Sequence, residues 1–139
     1  MELSPYLNFN GRCAEAFAFY ERCLDGRIET MQTHGESPIR DQVPPDWHER
    51  VLHARLTVAG GALMGCDAPP DRFTAPQGMT VAISVSPADA ERIFKALADG
   101  GRITMPFEKT FWSPGFGMLV DRFGTPWMVN AEPTLLDAF

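Results

Sequence analysis

His53 and Arg55 stand two residues apart in VLHARLTV at 51–58, a stretch that alternates along its length. Alternation of period two puts both on one face of a strand with Val51 and Thr57, and Leu52, Ala54, Leu56 and Val58 on the core-directed face. An imidazole so placed is a candidate general base, or could orient a carbonyl ligand. The same residue could equally be a histidine hydrogen-bonded to a neighbouring strand or loop. Arg55 could hold a substrate carboxylate in its fork of donors, or pair with an acid of its own chain. His48-Glu49 ahead of His53 suggests a zinc-peptidase helix, but the second His comes five residues after the first (53 minus 48). A helical HExxH needs four, so that reading fails. Cys13, Cys23 and Cys66 show no metal-ligand spacing and cannot all pair. Cys66, at a strand end, reads as a small hydrophobe rather than a reactive thiol. Phe111, Trp112 and Phe116 bracket Ser113-Pro114-Gly115. That loop could fold over a cavity mouth as an aromatic lid for flat organic ligands, or simply pack in the core.

The elements that must carry these residues occur twice. Residues 6–26, YLNFNGRCAEAFAFYERCLDG, follow the pattern of residues 80–100, TVAISVSPADAERIFKALADG, at an offset of 74 (80 minus 6). Both read as strand, polar turn, amphipathic helix and Asp-Gly stop, with a strand after it. The expected elements are strands at 5–9, 27–33, 51–58 and 62–66 with a helix at 13–24, then strands at 79–85, 102–108 and 116–121 with a helix at 87–98, and a final strand PWMVN. Gly26 is expected to end the first helix in the left-handed conformation. Ser86 and Pro87 are expected as N-cap and first residue of the second helix. The last hairpins repeat at an offset of 64 (124 minus 60), pairing GTPWM with GGALM. Each module is therefore βαβββ, about 4–67 and 78–131, within one α+β domain spanning 1–139. The repeat is too long for a solenoid unit and suits two copies of one small module. One sheet face should cover the helix, leaving the other free to line a shared cleft. Tyr6, Asn8, His53, Arg55, Thr80, Ser84, Met128 and Asn130 are expected on that free face. Leu7, Phe9, Leu52, Leu56, Val81, Ile83 and Trp127 are expected beneath the helices. Residues 34–50 form a long polar, proline-bearing loop in which His34 and Glu36 read as solvated. Asp121 should bond its own backbone in the turn DRFG.

Composition narrows the partners. A formal net charge of −6 disfavours nucleic acid, which needs a basic surface. No basic amphipathic helix suggests a membrane surface, and no apolar run approaches a spanning length. With no signal-peptide pattern and unpaired cysteines, the expectation is a cytoplasmic chain with reduced thiols.

The phrases PYLNFNGRCAEAFAFYE at 5–21, HARLTVAGGALMGCDAP at 53–69 and FWSPGFGMLVDRFGTPWMVN at 111–130 cover most of the chain. Together they resemble the PhnB-like subgroup of the vicinal-oxygen-chelate superfamily, which includes glyoxalase I, extradiol dioxygenases and bleomycin- and fosfomycin-resistance proteins. The resemblance implies a glyoxalase/bleomycin-resistance-like fold, with curved mixed sheets around a cleft, and a homodimer. Some members carry a ubiquinone-methyltransferase label. No Gly-rich strand-to-helix turn suited to S-adenosylmethionine occurs here, and the label is set aside. In metal-using members, ligands come from the first and last strands of the modules, typically His and Glu. The corresponding positions here, carried through the repeat, are Tyr6, Met64, Thr80 and Met128. Thioethers are poor ligands for borderline or hard divalent ions, so neither the usual metal nor another cofactor is expected. The expectation is a metal-free protein that binds a small, partly aromatic molecule through Tyr6, Asn8, His53, Arg55, Thr80, Ser84, Trp112, Met128 and Asn130. The alternatives are an enzyme of isomerase, lyase or dioxygenase type using His53, or a non-standard metal held by His53 with Asp67 and loop residues. A dimerisation or scaffold module is the plainest possibility.

Overall fold

The computed structural model describes residues 1–132, and its chain divides into two units that meet at Ala75 and Pro76. The first carries β1 (Tyr6–Phe9), α1 (Cys13–Cys23), β2 (Arg27–Thr33), β3 (Val51–Val58) and β4 (Gly61–Asp67). The second carries β5 (Val81–Val85), α2 (Pro87–Ala98), β6 (Arg102–Glu108), β7 (Phe116–Val120) and β8 (Pro126–Ala131). Both sheets have four strands in matching order, β1-β4-β3-β2 and β5-β8-β7-β6. In each, the first strand runs parallel to the last and the other pairs are antiparallel. The architecture is α+β, two βαβββ modules, as the repeat implies.

Each helix forms because its apolar residues recur on one face and that face has a sheet to cover. Ala16, Phe17, Phe19, Tyr20 and Cys23 of α1 are buried, as are Ala90, Ile93, Phe94 and Leu97 of α2. The facing sheet residues are the inward row of each strand. Phe9, Ala54, Leu56 and Leu63 are buried in the first module, and Leu119, Trp127 and Val129 in the second. Burying one large apolar side chain contributes about 1.5–3 kcal/mol, so these rows supply most of each module's stability. Leu52 departs from the expected alternation. The β2–β3 register shifts between Gln32 and Thr33, and Val51 is buried to 1% exposure while Leu52 is only half-buried. A bulge adds one residue to a strand and reverses which side chain faces inward.

The helix stops differ from expectation. The residue with positive φ after α1 is Asp25, at 49°, not Gly26; after α2 it is Gly100, at 78°. Gly26 is needed for space instead, because a Cβ there would lie 2.8 Å from the Thr57 carbonyl oxygen. Gly101 fills that role in the second module, where a Cβ would collide with the Val120 carbonyl oxygen. The extra glycine therefore belongs at the helix end, and α2 is 12 residues long against 11 for α1. Pro87 opens α2 as expected, but the Ser86 side chain makes no cap bond and meets the Asp89 carboxylate at 3.1 Å.

Two buried carboxylates tie the elements together. Asp67 Oδ1 accepts from the Gly11 and Cys13 N–H groups, each at 3.0 Å, and Oδ2 accepts from Val51 N–H at 2.9 Å. It thereby joins the start of α1, β3 and the end of β4. Asp121 Oδ1 accepts from Phe123 and Thr125 N–H at 2.8 and 3.0 Å, and Oδ2 from Trp127 Nε1 at 2.8 Å. The long loop is more ordered than its composition suggests, with 3-10 turns at His34–Glu36, Arg40–Gln42 and Pro45–Trp47. His34 meets Trp47 edge-on at 5.7 Å, and Glu36 forms a capping box with Thr33, so neither is simply solvated.

Removing either carboxylate strands three N–H groups. Asp67→Ala and Asp121→Ala are each expected to lower unfolding stability by about 3 kcal/mol or more in urea titrations. A loss below about 1 kcal/mol would show that water replaces the carboxylate without cost.

Candidate functional site

The sheet face turned away from α1 carries the polar residues of the first module. In register across it stand Tyr6, Met64, Arg55 and Thr30, one from each strand. The next rank holds Asn8 beside Cys66, and His53 beside Gln32. His53 stacks on Tyr6 with ring centroids 6.0 Å apart and planes 28° from parallel. The Cys66 thiol donates to Asn8 Oδ1 at 3.3 Å, and Tyr6 is a further electrostatic neighbour. Four of the polar groups anticipated on this face are thus together, and Cys66 joins them.

Electrostatics favour the neutral forms of Tyr6 and Cys66. Burial pushes the Tyr6 phenol up to about 12, and its interaction with Cys66 pushes the same way. Burial also raises the Cys66 thiol; the Tyr6 interaction opposes that rise and Asp67 adds to it. A raised thiol is a poor nucleophile, whereas a phenol that stays protonated is a dependable hydrogen-bond donor. Arg55 is engaged within its own module. Its fork meets both Glu2 carboxylate oxygens at 2.8 and 2.9 Å, and Nε lies 3.6 Å from Glu29. An anionic ligand reaching Arg55 must displace Glu2. Asp67 is likewise committed, both of its oxygens being taken by backbone N–H groups. That leaves it poorly suited to share a metal with His53.

In the second module, the face away from α2 holds Ala82 beside Met128 and Ser84 beside Asn130. Met118 and Phe116 continue these two ranks on β7. Trp112 packs edge-on against Phe116 at 5.4 Å, with Phe111 against Trp112 at 4.7 Å, and Trp112 remains about half exposed. The intervening loop is tied down rather than free. Ser113 Oγ, itself buried, lies 2.7 Å from the Gly115 carbonyl and 3.0 Å from that of Ala131, and it accepts from Gly115 N–H. Trp127 is in the core.

Thr80 stands apart from the others. It is exposed and precedes β5. Tyr6 pairs with Met64, while Met128 pairs with Ala82, so the strand register carries Tyr6 to Ala82 at an offset of 76 (82 minus 6). The helices keep 74 because the link before α2 is two residues shorter than that before α1. The positions matching the superfamily's metal ligands therefore hold a phenol, two thioethers and a methyl group. That donor set does not fit a borderline or hard divalent ion. Among the described residues, no group of three or more His, Cys, Asp or Glu side chains is placed to hold a metal.

The sequence profile of the 3-demethylubiquinone-9 3-methyltransferase family matches residues 1–130. The chain belongs to this PhnB-like family. Its similarity to protein YjdN of Escherichia coli is 36% identity, covering 96% of this chain and 99% of that one. Among solved structures it resembles PA1353 of Pseudomonas aeruginosa, with 45% identity, a TM-score of 0.86 and coverage of 95% and 98% of the two chains. It also resembles the PhnB protein of Bacillus cereus, titled a putative 3-demethylubiquinone-9 3-methyltransferase, at 26% identity and a TM-score of 0.78, covering 95% and 100%. The fold extends to the fosfomycin-resistance protein FosX of Listeria monocytogenes, at 8% identity and a TM-score of 0.68, covering 100% and 98%. The PhnB-like chain thus shares the fold of that protein. The methyltransferase wording is the family's name.

A raised phenol predicts a definite pH response. Neutral Tyr6 contributes its full stabilisation below pH ~10, the ordinary phenol value, and loses it as pH rises through about 12. Wild type is therefore expected to lose stability across that alkaline window, and Tyr6→Phe to lose less. Equal losses in calorimetry would exclude this coupling.

Proposed function

We propose that this PhnB-like protein binds a small, partly aromatic organic molecule on its helix-free sheet faces, without the metal centre of its superfamily. The observation that carries this reading is the residue set at the ligand-equivalent positions, Tyr6, Met64, Ala82 and Met128, which suits apolar and aromatic contact better than coordination. Tyr6, Asn8 and His53 supply the contacts on the first face, and Ser84, Trp112, Met128 and Asn130 those on the second. Arg55 takes part by exchanging Glu2 for a ligand acid, and Thr80 lies at the margin beside the start of β5. The exposed aromatic pair Phe111 and Trp112, packed edge-on at 4.7 Å, supports a flat ligand by offering ring surface on which one could stack.

A second reading is catalytic. The His53 ring stacked on a phenol that stays protonated offers a base and a hydrogen-bond donor side by side, an arrangement suited to isomerase or lyase chemistry. The protein acts as a cytoplasmic homodimer in either reading. Support for the dimer comes from open sheet edges such as β6, where Ile103 and Met105 are exposed and a partner surface would relieve both. No helix among the described residues is long and apolar enough to cross a membrane.

Elemental analysis of protein purified without chelator is expected to show far less than one equivalent of Zn, Ni, Mn or Fe. A stoichiometric metal whose spectrum changes in Met64→Ala or Met128→Ala would overturn the metal-free reading. Light scattering at micromolar concentration is expected to give the dimer mass, and a persistent monomer would refute the assembly.

A further inference from the structure

On the helix-free face of the second sheet, the amide oxygen of Asn130 is buried and meets no hydrogen-bond donor. Buried carbonyl oxygens in native proteins nearly always accept a bond, and an unmet one is explained by strain, by a functional role, or by a water or ligand that supplies the donor. The neighbours of this oxygen are well defined. Ser84 lies in register on one side and Phe116 on the other, with Glu108 beyond Phe116. Trp112 packs its edge on Phe116 and leaves about half of its own surface to solvent. Ser113 fixes where Trp112 stands, because its hydroxyl bonds the carbonyl of Ala131, the residue next to Asn130. Ala131 N–H in turn donates to the Gly115 carbonyl at 2.7 Å. A flat indole surface on the loop before β7 and an acceptor oxygen on β8 are therefore held by a fixed set of bonds.

Resting on the reading of this face as a ligand surface, we propose that it selects planar, neutral or cationic molecules carrying an N–H or O–H donor, delivered to Asn130 Oδ1 while the ring packs against Trp112. Ser84, exposed and abreast of Asn130, offers a hydroxyl that can donate or accept beside it. Glu108 at the end of the rank disfavours anions. A molecule of the same shape without the donor leaves the buried oxygen unmet, and discrimination between the two arises from that loss.

Indole and benzofuran form a suitable pair of probes, being nearly the same shape with and without an N–H. Titrations of the full-length protein followed by ligand-observed NMR are expected to show indole binding at least about fivefold more tightly than benzofuran. Asn130→Leu, which removes the oxygen at similar volume, is expected to abolish that preference, and Trp112→Ala to weaken both probes together. Equal binding of the two probes to the wild-type protein overturns the role of Asn130 while leaving an aromatic-binding face intact. A preference that survives in Asn130→Leu does the same. The wild-type comparison needs no variant, so it stands even where a substitution disturbs folding. Failure of both probes to bind wild type overturns the ligand-surface reading and this inference with it.

Discussion

Each module depends on one buried carboxylate that accepts three N–H donors. Asp67 gathers the entry to α1, the start of β3 and the end of β4; Asp121 gathers a turn and the indole of Trp127. A carboxylate held by N–H groups is stabilised by their fixed dipoles, and that arrangement is intolerant of displacement. The two residues are not repeat partners. The modules reached similar topology with the anchoring acid at different corners, at the end of the last strand in one and before its turn in the other. The polar sheet faces can vary because anchoring is done elsewhere.

Much of this was legible in the sequence, and the reason is periodicity. Alternation in VLHARLTV placed His53 and Arg55 away from the helix, and the repeated amphipathic pattern marked the helices at 13–24 and 87–98. What alternation could not show is the bulge that turns Val51 inward, since a bulge is set by the partner strand's register and not by local composition. Nor could it show that Arg55 is held by Glu2, a contact between residues 53 positions apart. Cys66 looked like a small hydrophobe, and only the parallel pairing of β1 with β4 brings it to Asn8 and Tyr6.

The Thr80 position shows how a repeat can mislead. An offset measured on the helices was extended to the strands, yet the connections between them differ by two residues, and the strand register answers to its own hydrogen bonds. The Asp-Gly stop misled in the same way. A glycine signals either a left-handed turn or a close approach, and in Gly26 the second use was read as the first. Pairing partners, rather than residue counts, are the reliable guide when site positions are carried from one half of such a chain to the other.

The tether at Ser113 has a kinetic meaning. An aromatic loop that must swing open makes ligand exchange wait on the loop, and the loop's own rate then appears in both arrival and departure. Here Trp112 stands on a segment whose hydroxyl and backbone groups are already bonded to β8. On the proposed reading, the arrival of a ligand would then be governed by diffusion and fit, and its residence time by contact strength. Such a surface would act as a rigid sampler, telling its occupants apart by how soon they leave.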